Sequence, residues 1–128
     1  MFPGVPEIQG LELAQRLYEA PFVVVSHGTQ VDPILNYGNA TAQRLWELSW
    51  DELTSMPSRL TAEAPLREER ARLLAAVTSQ GFIDDYTGIR MTRSGRRFKI
   101  SLATVWNLVT LDGQHYGQAA LFSEWAWL

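Results

Sequence analysis

The segment from Ile34 to Leu53 constrains the fold most, because it contains two helix starts directly after a short strand. Asn39 stands where the first helix begins, and its side-chain oxygen can accept a free backbone N–H of the first turn. Ser49 and Glu52 form a capping box at the second start, in which each side chain bonds the backbone of the other residue. The segment therefore predicts a strand followed at once by two short, capped helices.

The residues on either side extend this pattern to a mixed α and β chain. Apolar residues recur at helical spacing over Glu7–Glu19, and again between Pro65 and Gly81, where a glycine is a typical helix end. Phe22–Ser26 is β-branched and apolar, which predicts a buried strand, and Ile34–Tyr37 is predicted as a second short strand. The chain thus places a helix and two strands before the capped helices, and a longer helix after them.

From residue 82 onward the apolar period changes to two, which predicts an antiparallel meander of three strands. Turns at Ser94-Gly95 and Asp112-Gly113 separate strands at about residues 82–92, 96–109 and 115–124. Unbroken alternation would place one set of residues on one face of the middle strand: Phe98, Ile100, Leu102, Thr104, Trp106 and Leu108. The cations around the first turn are predicted to be solvated charges of a hairpin tip: Arg90, Arg93, Arg96, Arg97 and Lys99.

The composition limits the possible functions. The 128 residues suit one domain, which we divide into an N-terminal extension with an amphipathic helix, 1–20, and a main domain, 21–128. The absence of cysteine excludes disulfides, thiolate metal ligands, cysteine nucleophiles and a cysteine-linked chromophore. A net charge of −3 argues against nucleic acid as a partner, and neither a signal peptide nor a membrane-spanning apolar run is present. We therefore expect a cytoplasmic protein that binds neither nucleic acid nor membrane.

Short motifs along the chain match those of one known domain family: Ser26–Gly28, Asp32–Tyr37, Pro57–Leu60, Arg67–Arg70, Gly81–Tyr86, Gly95–Phe98, Val105–Asn107 and Gly117–Ala120. With these motifs the chain resembles the MEKHLA family, a PAS-like domain found alone in bacteria and within larger plant proteins, and its element order resembles that of the PAS fold. The resemblance covers about residues 20–125. The chain is most similar to the stand-alone bacterial members.

The resemblance implies an α+β fold: a five-stranded antiparallel sheet with helices on one face, an N-terminal helix, and space for a ligand between sheet and helices. It also implies dimerisation, the role linked to the plant members, and hence a homodimer here. No histidine lies on the helix of residues 66–80, where haem-binding PAS domains place one. We therefore expect neither haem nor covalent flavin, and a non-covalently bound flavin and another organic ligand are the alternatives that stay open.

We predict a ligand pocket beneath the capped helices, lined by Trp46, Arg59, Asp85, Tyr86, Trp106 and Gln118. A few polar groups in an apolar pocket fix the orientation of a ligand. Arg59 is the most informative of them, because a buried guanidinium needs an anion or dense hydrogen bonding. Asp85 and an anionic ligand are the alternative partners for Arg59. The tryptophans suit core packing as well as ligand stacking.

Catalytic and metal sites are not expected. His27 follows Ser26 and Asp84 precedes Asp85, but neighbours on a strand point to opposite faces, so neither pair converges in one pocket. His27 and His115 are the two histidines of the chain, and two separated histidines without cysteine do not form a metal site.

These observations favour a sensory or interaction module that binds a small organic ligand and acts through association with its own or another chain. A small cone-fold enzyme, such as an isomerase or cyclase, is one alternative, although the strand pair ahead of the helices argues against that fold. A ligand-free dimerisation domain is the other alternative. The N-terminal helix is predicted to cover either the outer face of the sheet or a partner chain.

Overall fold

A computed structural model describes residues 7–62 and 67–128. Its elements are α1 (Glu7–Tyr18), β1 (Val23–His27), β2 (Leu35–Gly38), α2 (Ala40–Trp46), α3 (Trp50–Leu53), a 3-10 helix (Ser58–Thr61), α4 (Arg67–Gln80), β3 (Phe82–Met91), β4 (Arg97–Val109), β5 (His115–Phe122) and β6 (Glu124–Trp127). The strands form one antiparallel sheet in the order β2-β1-β5-β4-β3, and β6 pairs with β4. Because only Ser123 separates β5 from β6, the two act as one interrupted strand, and the predicted five-stranded α+β fold is confirmed.

The side chain of Asn39 joins three elements. Its Oδ1 accepts hydrogen bonds from the backbone N–H of Ala42, at 3.1 Å, and of Val24, at 3.2 Å. Its Nδ2 donates to the carbonyls of Phe22, at 2.8 Å, and Leu17, at 3.1 Å. Asn39 is completely buried, so these four bonds replace all of its contacts with water. The predicted N-cap of α2 is confirmed, and the same amide also fixes the end of α1 and the start of β1.

The capping box at α3 is also confirmed. Ser49 Oγ accepts from the Glu52 N–H at 3.2 Å, and Glu52 Oε1 accepts from the Ser49 N–H at 2.9 Å. Leu53, at the end of this short helix, packs directly on β2. A Cβ atom at Gly38 would lie 2.7 Å from Leu53 Cδ1, so the glycine provides the space in which α3 meets the sheet.

The β3–β4 hairpin tip is fastened to α2 and α3. The Arg93 N–H donates to the Trp46 carbonyl at 3.1 Å, and the Ser94 N–H donates to Glu47 Oε1 at 2.8 Å. The guanidinium of Arg93 also forms an ion pair with Glu52. The tip therefore docks on the helices through polar contacts, while the strands behind it form the wall of the core.

Trp46 lies at the centre of the core. Its ring makes edge contacts with Phe98 and Phe122, at centroid distances of 5.5 and 6.1 Å. Trp125 packs on Phe122 at 5.8 Å, and Trp127 packs on Phe98 at 5.7 Å. The last strand thus extends the aromatic core beyond the break at Ser123.

The prediction of unbroken alternation along β4 is wrong. Up to Ile100 the expected residues are buried, but Leu102 has a φ of +54° and is 63% exposed. A positive φ in a strand marks a bulge, which shifts the side-chain alternation by one residue. Beyond the bulge, Ala103 and Val105 are buried on the helix side. Trp106 is consequently turned to the opposite face and is only half-buried.

Replacement of Asn39 tests its role as a junction. Asn39→Ala is expected to lower the free energy of unfolding by about 3 kcal/mol, because several buried backbone groups lose a partner. Ser49→Ala, which removes an exposed cap, is expected to cost about 1 kcal/mol. Urea unfolding followed by tryptophan fluorescence measures both values. Equal losses for the two variants would show that Asn39 acts as a helix cap alone.

The hairpin docking is expected to depend on pH. Hydrogen bonds from Ser94 lower the pKa of Glu47 below its ordinary value of 4.5, and bonds from Ser49, with Arg93 nearby, lower the pKa of Glu52. A lowered folded-state pKa means that each carboxylate stabilises the fold above pH 4.5 and that this contribution is lost in more acidic solution.

The stability difference between the wild type and the double variant Glu47→Gln, Glu52→Gln should therefore be largest at neutral pH and shrink in acid. Urea unfolding across a pH series measures it. Glu124→Gln, at an exposed position on β6, is the matched control and should show little change with pH. A difference that stays constant down to strongly acidic pH would contradict the assignment.

Candidate functional site

A cavity lies between the sheet and the helices, and its free space is about 60 Å³. At roughly 10–15 Å³ per water, this volume holds on the order of four waters or a few non-hydrogen atoms of a ligand. Its apolar lining includes Val25, Leu35, Leu73, Leu74, Ile100, Ala103, Val105 and Phe122. Its polar lining comprises Ser26, His27, Thr61, Tyr86, Arg90 and Gln118. A mostly apolar wall with a few polar side chains is typical of small-molecule sites.

The structure brings half of the predicted pocket residues together. Trp46, Tyr86 and Gln118 line the cavity. Trp106 does not line it, because the bulge at Leu102 turns its side chain to the outer face of the sheet. Asp85 is exposed on β3 and lies outside the cavity wall.

The prediction that Arg59 is buried in the pocket is wrong. Its side chain is 47% exposed, and its Nε donates to both carboxylate oxygens of Asp32 at 3.1 Å. Asp32, and not Asp85, is therefore its partner. The reason is the short 3-10 helix: Ser58 and Thr61 occupy its buried face, which leaves Arg59 on the solvent side.

Among the described residues, the buried guanidinium belongs to Arg90, and the prediction that Arg90 is a solvated charge of the hairpin is wrong. Arg90 is 8% exposed and lines the cavity. Its Nη1 donates to the Ile89 carbonyl at 2.8 Å, and its Nη2 donates to the Tyr86 hydroxyl at 2.9 Å. One signal was present in the sequence: Arg90 follows Tyr86 by four residues, so both side chains of the strand share the face that points to the helices.

Gly88 makes the pairing of Tyr86 and Arg90 possible. A Cβ atom on Gly88 would lie 2.1 Å from the Tyr86 hydroxyl oxygen, so any other residue would displace the phenol ring. The ring also lies 5.4 Å below the guanidinium carbon of Arg90, within the range of a cation–π contact. Three residues at alternate positions of β3 thus hold a positive charge at the cavity wall.

Helix α4 covers the cavity and is held by two side-chain amides of the sheet. Gln118 Nε2 donates to the Leu74 carbonyl at 3.0 Å and to Thr78 Oγ1 at 2.9 Å. Asn107 Nδ2 donates to the Val77 carbonyl at 3.0 Å, in the last turn of the helix. The Val77 carbonyl also accepts from the Gly81 N–H at 2.8 Å, so the contact with Asn107 adds a second bond at the C-terminal end of the helix. The amides also bond each other, at 3.1 Å.

The indole N–H of Trp46, a residue of the cavity wall, is a buried donor without an acceptor in the described structure. Trp46 is 4% exposed, and its Nε1 has no hydrogen-bond partner among the residues that the structure describes. A buried indole N–H is usually bonded, because leaving such a donor without an acceptor costs about 1–3 kcal/mol. An acceptor supplied by a bound molecule would remove this cost.

The titratable residues considered for catalysis and metal binding do not converge. His27 is buried, and its Nδ1 donates to the Gly28 carbonyl at 2.8 Å, while Asp84 and Asp85 are both exposed on β3. Within residues 7–62 and 67–128, no three His, Asp or Glu side chains lie close enough to hold a metal ion. No helix in these same ranges has the length and apolar character needed to cross a bilayer.

Comparison with solved structures identifies the fold. A PAS domain from Colwellia psychrerythraea superposes with a TM-score of 0.76 at 16% identity, covering 88% of this chain and 93% of that one. A PAS domain from a two-component sensor histidine kinase gives a TM-score of 0.70 at 14% identity, with 95% and 98% coverage. An RNA-binding light-oxygen-voltage receptor gives 0.76 at 13% identity, but the match covers 95% of this chain and only 34% of the receptor.

At these identities the likeness establishes the PAS fold alone. No curated protein matches the chain. The family model described as the MEKHLA domain matches residues 5–127, nearly the whole sequence and including α1. The motifs and the fold agree with this match, and the chain therefore belongs to the MEKHLA domain family.

Proposed function

We propose that this MEKHLA domain is a sensory module that binds a small organic molecule between its sheet and α4 and acts through association with another chain. The cavity carries the proposal: it combines apolar walls with Arg90, Tyr86, Trp46 and Gln118 at separate points of its lining. Such an arrangement can both hold a small molecule and fix its orientation. A filled core would need none of these polar groups at its centre.

Helix α4 is suited to report occupancy of the cavity. Leu73 and Leu74 line the cavity. Gln118, a residue of the sheet that also lines the cavity, donates a hydrogen bond to the backbone of the helix. A ligand that contacts these leucines would therefore bind more tightly when α4 is in one position than when it is in another. A ligand shifts a conformational equilibrium only through such a difference.

Helix α1 favours action through association. Its C-terminal end is fixed, since the Leu17 carbonyl accepts from Asn39 and the Tyr18 hydroxyl accepts from Gln43 at 2.9 Å. Its apolar residues nevertheless remain exposed, Leu11 by 69% and Leu13 by 42%. Within the described part of the chain these two leucines stay exposed, so a second copy of the chain is the partner that we propose. Residues 1–20 would then form an association element beside the main domain, 21–128.

The alternatives differ in how well the structure supports them. The fold is a PAS fold and not a cone fold, which removes the structural argument for an isomerase or cyclase. A ligand-free dimerisation domain would share the exposed α1 but leaves the buried charge of Arg90 without a purpose. We also propose a cytoplasmic location and an organic ligand other than haem or a covalently attached flavin.

Filling the cavity is expected to remove ligand binding and leave the fold intact. Ala103→Val adds two methyl groups at a buried cavity position on β4, and valine suits a strand. Native mass spectrometry of the purified wild type should detect a noncovalent small molecule that the variant lacks, at an unchanged or higher melting temperature. Ala126→Val, an exposed alanine on β6, is the matched control. The ligand-free dimerisation domain would be favoured if the wild type showed only the mass of the chain, and if small molecules added to the solution bound the wild type and Ala103→Val equally.

A charge in the α1 stripe is expected to separate the dimer. Leu11→Glu replaces an exposed leucine, so the monomer should keep its stability, while sedimentation velocity should show a dissociation constant raised by at least about tenfold. Arg16→Gln changes the net charge by the same amount at an exposed position on the other side of α1, and it should change the association little. A wild type that sediments as a monomer at high concentration would contradict this part of the proposal.

A further inference from the structure

Arg90 is a buried cation without an acidic partner. No carboxylate lies within ion-pair distance of its guanidinium in the described part of the chain, and its two hydrogen bonds go to neutral groups of β3. Arginine carries five N–H donors, so three remain without a partner among these residues. A buried charge is costly unless it is paired, and a fully buried guanidinium most often meets a carboxylate or phosphate.

Two further donors stand beside Arg90. Trp46 and Tyr86 line the same cavity as Arg90, and the guanidinium of Arg90 reaches along β3 to the Tyr86 hydroxyl. Tyr86 accepts a bond from Arg90, which leaves its own O–H proton free to donate, and the described residues offer it no acceptor. This donor end of the cavity, formed by Arg90, Trp46 and Tyr86, presents positive charge and N–H and O–H donors but no matching acceptor.

The opposite end of the cavity differs in character. Gln118 Nε2 is occupied by the backbone and hydroxyl of α4, and Leu73, Leu74 and Val105 supply aliphatic surface beside the polar side chains of Ser26 and His27. The free space of about 60 Å³ favours a ligand much smaller than a nucleotide or a flavin. A molecule that fits both ends has a small anionic head and a short apolar tail.

We propose that the ligand is a short-chain aliphatic monocarboxylate, whose carboxylate pairs with Arg90 and accepts hydrogen bonds from Trp46 and Tyr86. This inference rests on the proposed ligand-binding function and specifies its chemistry. The alkyl tail lies against Leu73 and Leu74, which places the ligand in contact with α4. Arg90 also borders a second, larger hollow of about 180 Å³, whose lining includes one anion, Glu69, and one further cation, Lys99, so that these two charges offset each other.

The test is a titration of the full, uniformly ¹⁵N-labelled chain with butyrate and, separately, with butyramide, its neutral counterpart of similar shape. The indole N–H resonance of Trp46, assigned by its loss in Trp46→Phe, should move with butyrate and saturate. Butyramide should bind at least about tenfold more weakly, because a hydrogen bond to a charged group contributes more than one between neutral groups.

Variants locate the charge that binds butyrate. Arg90→Met keeps a long apolar side chain and should weaken butyrate binding by about 10- to 100-fold. Arg59→Met removes an exposed cation outside the cavity and should leave the affinity unchanged. Should Arg90→Met fail to fold, Tyr86→Phe keeps the arginine and removes one donor, and it should weaken binding several-fold while butyramide binding changes less.

The outcomes separate this inference from the function on which it rests. Butyramide binding as tightly as butyrate, or Arg90→Met or Tyr86→Phe binding butyrate like the wild type, would overturn the carboxylate assignment and leave a neutral ligand in the cavity. Absence of any saturable shift with either probe, together with no small molecule in native mass spectra, would overturn both proposals.

Discussion

The amide of Asn39 is the interaction on which the rest of the structure depends. A buried side-chain amide can be satisfied by two acceptor and two donor bonds, and Asn39 makes all four with the backbone of three elements. It thereby fixes the direction in which α2 leaves the sheet. Trp46, the last residue of that helix, then reaches the core between Phe98 and Phe122. An aspartate could replace the acceptor bonds but not the donor bonds, so only asparagine meets this demand at that size.

Two glycines, which have no side chain, determine where neighbouring groups approach each other closely. Gly38 gives room to Leu53, which brings α3 onto the sheet, and Gly88 gives room to the hydroxyl of Tyr86. The first close approach serves packing, because it buries an apolar residue. The second holds a polar group beside a buried cation, which gives packing no evident benefit. The contrast indicates that β3 is built around a polar arrangement as well as a core.

Local signals allowed most of the fold to be predicted, and long-range effects explain the failures. The caps at Asn39 and Ser49 and the turn glycines act within a few residues, so their positions follow from the sequence alone. The position of the bulge at Leu102 does not follow from the sequence, because leucine rarely adopts a positive φ. The bulge lies opposite Ser123, where the neighbouring strand is interrupted. Because alternation has a period of two, this single bulge moved Trp106 out of the candidate site and Ala103 into it.

A long-range effect also explains why Arg90 lines the cavity in place of the predicted Arg59. A buried guanidinium does line the cavity, but whether an arginine is buried depends on the surface that packs against it, and the sequence alone does not reveal that surface. Arg59 pairs with Asp32 at the surface, whereas Arg90 is buried and lies over the Tyr86 ring at the wall of the cavity. A hydrophobic residue at position 90 would avoid the desolvation of a charge, and replacing buried charges by apolar groups is often neutral or stabilising. An arginine held at the wall of a cavity by Tyr86 and Gly88, without a carboxylate from the described chain, is therefore better explained by binding than by stability.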